Sequence, residues 1–482
     1  MMNLKGLSPC MYAIVCSKKT KEQWHKAVRC LHDKYNVIWP GKVRVIKYDD
    51  SVEQALPELQ RLRPSYCCFV AIHSECSRSF VRSVHSVTRK IDPSNPFTDT
   101  LWGILTGQEE DDVVFAVQQV QDSLCVSRVL GGTGVNLKKF ESGVWYSEGE
   151  QGVAYRKKLG SAEACKESCA PDATGDIVAE LSSDRDEKND KGVDMVITSG
   201  HATEHDWNIG YNFRSGQLIP MDGNICGLTV NGDVIPVQCR KKPKIYSACG
   251  NCLMGHISEK NCMALAWMHS ANVIQMTGYI VETWFGYAGW GVHKYFINNP
   301  GMMTFAESFF ANQQSLITKL HKDYPEFCDK SVGEANSVYK KCFNTKATAR
   351  KEMTRECSGL LYDQDSLAFY GDPAYEARIA IKKEEWDYDI SIMELDPAGL
   401  SPGWSKWELK VKTVCHGSFE CPIPDDKTTS FGRPPVFVFP CSMRDFKVLE
   451  GEAVINCRFI LVSVFGNYTP GKEFKVVFAV QL

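Results

Sequence analysis

Two apolar stretches of the chain each lead into a side chain that could take part in nucleophilic catalysis. The stretch 195–198 is followed closely by His201, and the stretch 244–248 is followed by Cys249 and Cys252. Short apolar runs of this kind are typical of buried strands, and reactive groups collect at the carboxyl ends of parallel strands. A thiol with an imidazole nearby to accept its proton is an activated nucleophile. The two stretches therefore indicate a cysteine–histidine hydrolase.

Each role in such a site can be assigned to a residue near one of the two strand ends. Cys252 is predicted to be the nucleophile and His201 the general base and acid, with Glu204 available to orient the imidazole. A helix is expected to start at Cys252, so that its N-terminal partial charge favours the thiolate. The backbone amides of Ala202 and Gly255 are candidates for binding the oxyanion.

The pair of cysteines in the second turn leaves two alternatives open. Cys249 is the alternative nucleophile, although within the strand it would be only a small core residue. A zinc module is the other alternative, because Cys249, Cys252, His256 and Cys262 are spaced almost as in a zinc knuckle. An apolar stretch before these residues and an alanine-rich segment after them are not typical of a free-standing knuckle.

Residues 1–125 alternate between strand-like and helix-like patterns. Strands are predicted near 11–16, 43–48, 66–72 and 100–107, and helices near 21–35, 51–62, 79–90 and 111–123. Strands that alternate with helices imply parallel pairing. Residues 1–125 are therefore predicted to form an N-terminal α/β subdomain.

Residues 126–376 are predicted to form a second α/β subdomain, which carries the site. Its further predicted elements are helices at 258–269, 305–320 and 336–353, a strand at 273–277 and a glycine–aromatic loop at 286–291. The charge-dense segment near 159–192 is predicted to be an exposed insertion. In a protease such a segment could be cut for activation, and a plain surface loop is the alternative.

Residues 377–482 lack helical spacing. Short strand-like segments divided by Pro and Gly turns are found at 388–392, 407–411, 436–439, 458–462 and 474–478. This pattern predicts a C-terminal β-sandwich.

Composition restricts the classes of protein and of partner. The apolar fraction of 44% and the charged fraction of 23% are those of a globular protein. A net charge of −3 gives no support to nucleic-acid or membrane-surface binding through bulk charge. The sequence shows neither an apolar run of about 18 residues nor an export signal. The 21 cysteines lack the spacing of a disulfide framework, so reduced thiols and a cytoplasmic location are predicted.

The residues around the two strand ends resemble the gingipain family of cysteine peptidases, whose clan includes caspases, legumain, clostripain and separase. The stretch 200–204, Gly-His-Ala-Thr-Glu, followed by Trp207, is close to that family's pattern around its histidine. Cys252 and Gly255 form the Cys-x-x-Gly turn that recurs in the clan. The stretch 370–373, Tyr-Gly-Asp-Pro, resembles the tetrapeptide that closes the gingipain catalytic domain.

The resemblance implies a fold, and it covers roughly residues 193–376 in order and spacing. The expected fold class is α/β, a caspase- or gingipain-like parallel-sheet sandwich in two α/β subdomains, followed by a C-terminal all-β, immunoglobulin-like domain. In clan members the loop after the next strand shapes the pocket for the residue before the scissile bond. Trp284, Tyr287 and Trp290 are therefore candidate pocket walls.

The resemblance also implies an activity, that of a cysteine endopeptidase acting on polypeptide substrates without a metal or cofactor. Some clan members bind structural calcium, for which this sequence gives no position. Gingipains select arginine or lysine through an acidic pocket residue, and no counterpart is assigned here. The alternative class is a catalytically inactive scaffold or interaction protein that keeps the fold.

Overall fold

The structure is a computed structural model, and it describes residues 10–118, 123–182, 192–239, 242–328, 353–419, 433–443 and 445–481. The predicted helix at 336–353 lies almost wholly outside these residues.

The first α/β half has the predicted alternation of strands and helices. Its strands are β1 (Tyr12–Ser17), β2 (Val43–Tyr48), β3 (Tyr66–Val70) and β4 (Leu101–Leu105). Its helices are α1 (Lys18–Gln23), α2 (His25–Ile38), α3 (Leu56–Leu62), α4 (Arg78–Arg89) and α5 (Glu110–Gln118). Both faces of β1, β3 and β4 are buried, which explains their apolar runs, while the edge strand β2 exposes Arg44 and Lys47. Ile14 packs with α2 and α5 on one face, and Val15 packs with α3 and α4 on the other.

The second half continues the sheet and adds a small antiparallel one. Its first strands are β5 (Ser123–Val126), β6 (Arg128–Gly131), β7 (Ser142–Tyr146), β8 (Val153–Lys157), β9 (Cys165–Ser168) and β10 (Met195–Thr198), with α6 (Thr174–Ser182). The small sheet contains β11 (Ala202–Thr203), β12 (Asp206–Asn208), β13 (Gln217–Met221), β14 (Asn224–Leu228) and β15 (Val234–Pro236). The remaining elements are β16 (Lys244–Ala248), α7 (Met263–Ser270), β17 (Val273–Tyr279), α8 (Tyr287–Ile297), α9 (Phe305–Asp323), α10 (Arg355–Asp363), β18 (Leu367–Gly371) and β19 (Glu376–Ile379).

In the described part of the chain, twelve strands form one sheet in the order β2-β1-β3-β4-β18-β17-β16-β10-β6-β7-β8-β9. Neighbouring strands are parallel except in the pairs β17–β18, β7–β8 and β8–β9. The two α/β halves therefore share one sheet and meet where β4 pairs with β18. The predicted limits at 125/126 and 376/377 fall in β5 and β19, which pair with each other.

The pairing of β10 with β16 decides where the reactive residues meet. The two strands are parallel and in register from Met195 opposite Ile245 to Thr198 opposite Ala248. Both strands therefore end at the same edge of the sheet, and the chain leaves that edge as two adjacent turns.

The C-terminal region is all-β and antiparallel, as its strand pattern predicts. Its strands are β20 (Tyr388–Leu395), β21 (Trp404–Thr413), β22 (Gly417–Ser418), β23 (Val436–Val438), β24 (Asp445–Glu450), β25 (Ala453–Ile455), β26 (Phe459–Val462), β27 (Asn467–Tyr468) and β28 (Glu473–Gln481). One sheet has the order β20-β21-β28-β24 and another β23-β26-β25. Leu409 and Phe478 of the first sheet and Ile460 of the second lie in one apolar core.

Three predictions of local structure need correction, two of them only in part. The predicted helix at 258–269 begins only at Met263. The glycine–aromatic segment at 286–291 is not a loop but the start of α8, since Tyr287 begins that helix. The segment near 159–192 is not simply an exposed insertion: it contains β9 and α6, and α6 buries Ile177 and Leu181 against the sheet core. Residues 183–191 of that segment lie outside the described ranges.

A buried carboxylate fastens α2 to the sheet beside the end of β18. Tyr12 of β1 and Tyr35 of α2 donate hydrogen bonds to the two oxygens of Asp372, at 2.8 and 2.6 Å. The amide of Ala374 donates a further bond to the carboxylate at 3.0 Å. The side chains of Tyr12, Tyr35 and Asp372 are buried, and the two tyrosine rings stack with centroids 4.1 Å apart. The Asp of the Tyr-Gly-Asp-Pro stretch therefore has a structural role.

We expect Tyr35→Phe to lower the free energy of unfolding by roughly 1–3 kcal/mol, because it removes a donor from a buried carboxylate. Urea denaturation, monitored by circular dichroism, measures the change in the free energy of unfolding. The matched control is Tyr211→Phe, which alters an exposed tyrosine and should change stability by less than about 0.5 kcal/mol. Equal stability of Tyr35→Phe and wild type would contradict this role of Asp372.

Candidate active site

The turn after β10 carries His201 and is held by hydrogen bonds to three consecutive carbonyl groups. The indole of Trp207 donates to the carbonyl of Ser199 at 2.8 Å, and Asn208 donates its amide to that of His201 at 2.9 Å. The side chain of Asn251 donates to the carbonyl of Gly200 at 3.2 Å. Gly200 has a φ of 91°, a conformation that favours glycine. The Gly-His-Ala sequence thus forms a fixed turn that presents an exposed imidazole.

Asn251 joins this turn to the one that carries Cys252. Its carboxamide oxygen accepts a hydrogen bond from the hydroxyl of Thr198 at 2.6 Å, while its amide group binds the carbonyl of Gly200. Asn251 is completely buried. The buried amide therefore fixes the two turns relative to each other, with Cys252 as the next residue.

Cys252 and His201 line the same cleft, which has a volume of about 550 Å³. The cleft is lined by Glu148, Ser199, Gly200, His201, Tyr211, Asn212, Gly250, Cys252, Thr283, Trp284, Phe285, Gly286 and Trp290. The Cys252 side chain is half-buried, and the His201 ring stacks on the ring of Tyr211 at 4.7 Å. The structure thus brings together the two residues that the sequence predicts to be the dyad.

The environment of the Cys252 sulfur differs from the predicted one. No helix begins at Cys252, because the chain continues through turns until α7 starts at Met263. The sulfur instead accepts a hydrogen bond from the amide of Thr283 at 3.1 Å. A backbone amide just beyond β17 therefore takes the place predicted for a helix N-terminus.

Cys249, the alternative nucleophile, lies in the core and not in the cleft. Its side chain is completely buried, with its sulfur 3.4 Å from the hydroxyl of Ser247. Burial raises the pKa of the Cys249 thiol to about 12. A thiol in this position remains protonated near neutral pH, so Cys252 is the better candidate.

The carboxylate in the cleft is Glu148 and not Glu204. The oxygens of Glu148 accept hydrogen bonds from Thr133 and Ser199, each at 2.7 Å. Glu204 is not among the residues that line the cleft. Burial lowers the pKa of His256, and the nearby charge of Glu204 opposes that shift. Glu148 is not among the site residues predicted from the sequence, although it follows β7 at the same sheet edge as His201.

The two predicted oxyanion residues differ in what their surroundings allow. The amide of Gly255 donates to the carbonyl of Tyr279 at 2.9 Å, so it is not available to a substrate. Gly255 instead permits close contact with β17, since a Cβ there would lie 2.2 Å from the carbonyl oxygen of Gly278. Ala202 directly follows His201, opposite Trp207 in the β11–β12 hairpin. The binding of the oxyanion by the amide of Ala202 remains a prediction.

Two of the three predicted pocket aromatics line the cleft. Trp284 and Trp290 do so, together with Phe285, which is not among the predicted wall residues. Tyr287 instead lies buried under the guanidinium group of Arg433, 3.8 Å from its ring centre.

The four residues of the predicted zinc module do not form a metal site. Within the described ranges, no group of three or more His, Cys, Asp or Glu side chains is arranged to hold a metal ion. Cys249 faces the core beside Ser247, while Cys252 lies in the cleft beside Thr283.

Helix α8, which forms one wall of the cleft, begins on a buried carboxylate. Gly286 precedes the helix and has no side chain to cap it. Asp363 of α10 accepts the amide of Ala288 at 2.9 Å and the hydroxyl of Tyr279 at 3.1 Å. The tyrosine oxygen accepts the amide of Gly289 at 2.9 Å. Burial raises the pKa of Asp363 to about 7, with smaller opposite effects from these bonds.

Comparison of the chain with models of protein families, with curated proteins and with solved structures gives no match. Among the helices in the described residues, none has the length and apolar character needed to cross a membrane. Because the comparisons give no match, what the cleft can do chemically is inferred from its own residues.

We expect the pKa of Asp363 to make the stability of the protein depend on pH. Folding favours the neutral carboxyl, so its contribution is complete below the ordinary Asp pKa of about 3.9 and is lost as the pH rises through about 7. Asp363→Asn keeps an acceptor for Ala288 and Tyr279 but cannot ionise. Relative to wild type, this variant should gain roughly 2–3 kcal/mol in unfolding free energy between pH 5 and pH 8. Urea denaturation at several pH values measures this difference, and a constant difference would contradict the assignment.

Proposed function

We propose that the protein is a gingipain-like cysteine endopeptidase with Cys252 as nucleophile and His201 as general base and acid. The observation that carries the proposal is that these two side chains, from separate strand ends, line one cleft. The cleft is open to solvent at His201 and large enough to receive an amino-acid side chain. Aromatic rings and one carboxylate make up much of its wall.

In the proposed reaction, the sulfur of Cys252 attacks the carbonyl carbon of the scissile peptide bond. His201 takes the thiol proton and gives it to the leaving amine, which leaves a thioester on Cys252. Water, deprotonated by His201, then hydrolyses the thioester and restores the thiol. The amide of Ala202 is the donor proposed for the oxyanion.

Glu148 is proposed to stabilise the charged form of His201 during this cycle. Its carboxylate lines the cleft together with the imidazole and is held there by Thr133 and Ser199. A fixed negative charge beside a developing imidazolium stabilises it without reorganisation of solvent. Glu204, which lies outside the cleft, has no part in the proposed mechanism.

The gingipain-like family and the caspase-like form of the fold belong to this proposal. Supporting them are the order of the His201 and Cys252 strand ends, the parallel pairing of those strands, and an all-β region after the α/β sheet. The alternative, an inactive scaffold of the same fold, is an outcome of the first experiment below.

We expect a peptidyl acyloxymethyl ketone probe to label the protein at Cys252. Labelling should disappear in Cys252→Ala and persist in Cys249→Ala, because only the former thiol lies in the cleft. His201→Ala should reduce the rate of labelling by at least about 100-fold. Mass spectrometry of the labelled peptide identifies the site. Labelling of Cys252→Ala but not of Cys249→Ala would refute the assignment, and no labelling of wild type would favour the inactive scaffold.

Glu148 and Glu204 give a matched pair of variants. Glu148→Gln should lower kcat by roughly 10- to 100-fold on a peptide substrate, because it removes the charge that stabilises the imidazolium. Glu204→Gln, the control, should stay within about twofold of wild type. Steady-state kinetics measures both variants. A loss of activity in Glu204→Gln but not in Glu148→Gln would restore the role that the sequence alone predicts for Glu204.

A further inference from the structure

A buried arginine of the all-β region, Arg433, contacts the first turn of α8. Arg433 lies just before β23 and is almost completely buried. Its guanidinium donates a hydrogen bond to the carbonyl of Tyr287 at 3.0 Å and lies over the ring of the same residue. Close by, the hydroxyl of Tyr295 donates to the carbonyl of Pro434 at 2.7 Å.

The residue that Arg433 contacts stands between two residues that line the cleft. Gly286 precedes Tyr287 and Trp290 follows it by three positions, and both belong to the cleft wall. The indole nitrogen of Trp290 lies 3.2 Å from the Cβ position of Gly250, in the Cys252 turn. A displacement of Tyr287 would therefore move the wall that faces the nucleophile.

The packing around this turn leaves little freedom for adjustment. A Cβ at Gly291 would lie 1.7 Å from the side-chain oxygen of Asn312 and 3.0 Å from Nε of Arg433. Asp363 and Tyr279 accept the amides of Ala288 and Gly289. The turn is thus held both by the α/β core and by the all-β region.

We propose that Arg433 is a positioning residue for the substrate cleft, through which the C-terminal all-β region forms part of the substrate-binding structure. This inference rests on the proposed peptidase function and assigns to the all-β region a role in that same site. Arg433 touches neither the cleft nor Cys252, so it acts through Tyr287 and the first turn of α8. Its loss should weaken the binding of the substrate side chain and leave the dyad intact.

The test compares two buried arginines of the all-β region. Arg458 is also almost completely buried, and its guanidinium lies 5.9 Å from the ring centre of Tyr66 in β3, away from the cleft. Arg433→Met and Arg458→Met therefore make the same chemical change at two contacts between the all-β region and the α/β part of the chain, one with helix α8 and one with strand β3. Arg433→Lys keeps a charge and a donor that can reach the carbonyl of Tyr287.

With a peptide substrate, Arg433→Met should raise KM by about tenfold, with kcat within about twofold of wild type. The KM of Arg433→Lys should lie between those of wild type and Arg433→Met. Arg458→Met should match wild type in both KM and kcat. An unchanged KM in Arg433→Met, or an equal rise in Arg458→Met, would overturn the proposal. Full-length variants are used, and circular dichroism confirms that each one is folded.

Hydrogen exchange of residues 286–291, measured by mass spectrometry, separates this inference from the proposed function. The amides of Ala288 and Gly289 should exchange faster in Arg433→Met than in wild type, and Arg458→Met should leave them unchanged. If wild type cleaves no peptide and takes up no probe, the peptidase proposal fails, and exchange alone decides whether Arg433 fixes the turn. Equal exchange in both arginine variants would overturn that role as well.

Discussion

The parallel, in-register pairing of β10 with β16 is the constraint on which the rest of the site depends. Because Thr198 and Ala248 lie opposite each other, the turns that follow leave the sheet side by side. Burial of both strands fixes the register, since a slip by one residue would turn each apolar side chain to the other face. The meeting of Cys252 and His201 in one cleft is a direct consequence of that pairing.

Buried polar groups then convert adjacent turns into a defined geometry. Asn251 binds Thr198 on one side and the carbonyl of Gly200 on the other, so neither turn can move alone. Asp363 does the same for the wall of the cleft by accepting the amide of Ala288 in the first turn of α8. Such groups are costly to bury without partners, and this cost makes their arrangement specific. The site therefore rests on residues that have no part in the proposed chemistry.

The all-β region is joined to the α/β sheet through a mixture of apolar and ionic contacts. Phe459 packs against Phe310 of α9 and against Phe97, with ring centres 6.0 and 5.2 Å apart. Lys139, which follows β6, donates hydrogen bonds to the carbonyl of Asn298 at the end of α8 and to Asp387 before β20. Helix α8 is thus contacted near both ends by groups that link it to the C-terminal region. This arrangement gives the appended strands a physical connection to the cleft.

Local pattern was a reliable guide where burial acts on a whole element. The alternating strands and helices of the first half and the short strands after residue 377 are as predicted, because apolar periodicity reports burial directly. Prediction failed where a tertiary contact replaces a local signal. Helix α8 has no capping side chain in the sequence, since its cap is Asp363, far along the chain. Glu148 carries no local signal, because the pairing of β7 with β6 is what brings it to the sheet edge of His201.

The sequence by itself determined the class of elements and showed that His201, Cys249 and Cys252 follow the ends of two strands. It could do so because strand ends and reactive groups are both local features. Only the tertiary structure decided which thiol faces the cleft, which carboxylate accompanies the imidazole, and which aromatic rings form the wall. These outcomes depend on the direction of each side chain and on the partners that burial brings to it. The same packing places Cys249 in the core and Cys252, three residues later, in the cleft.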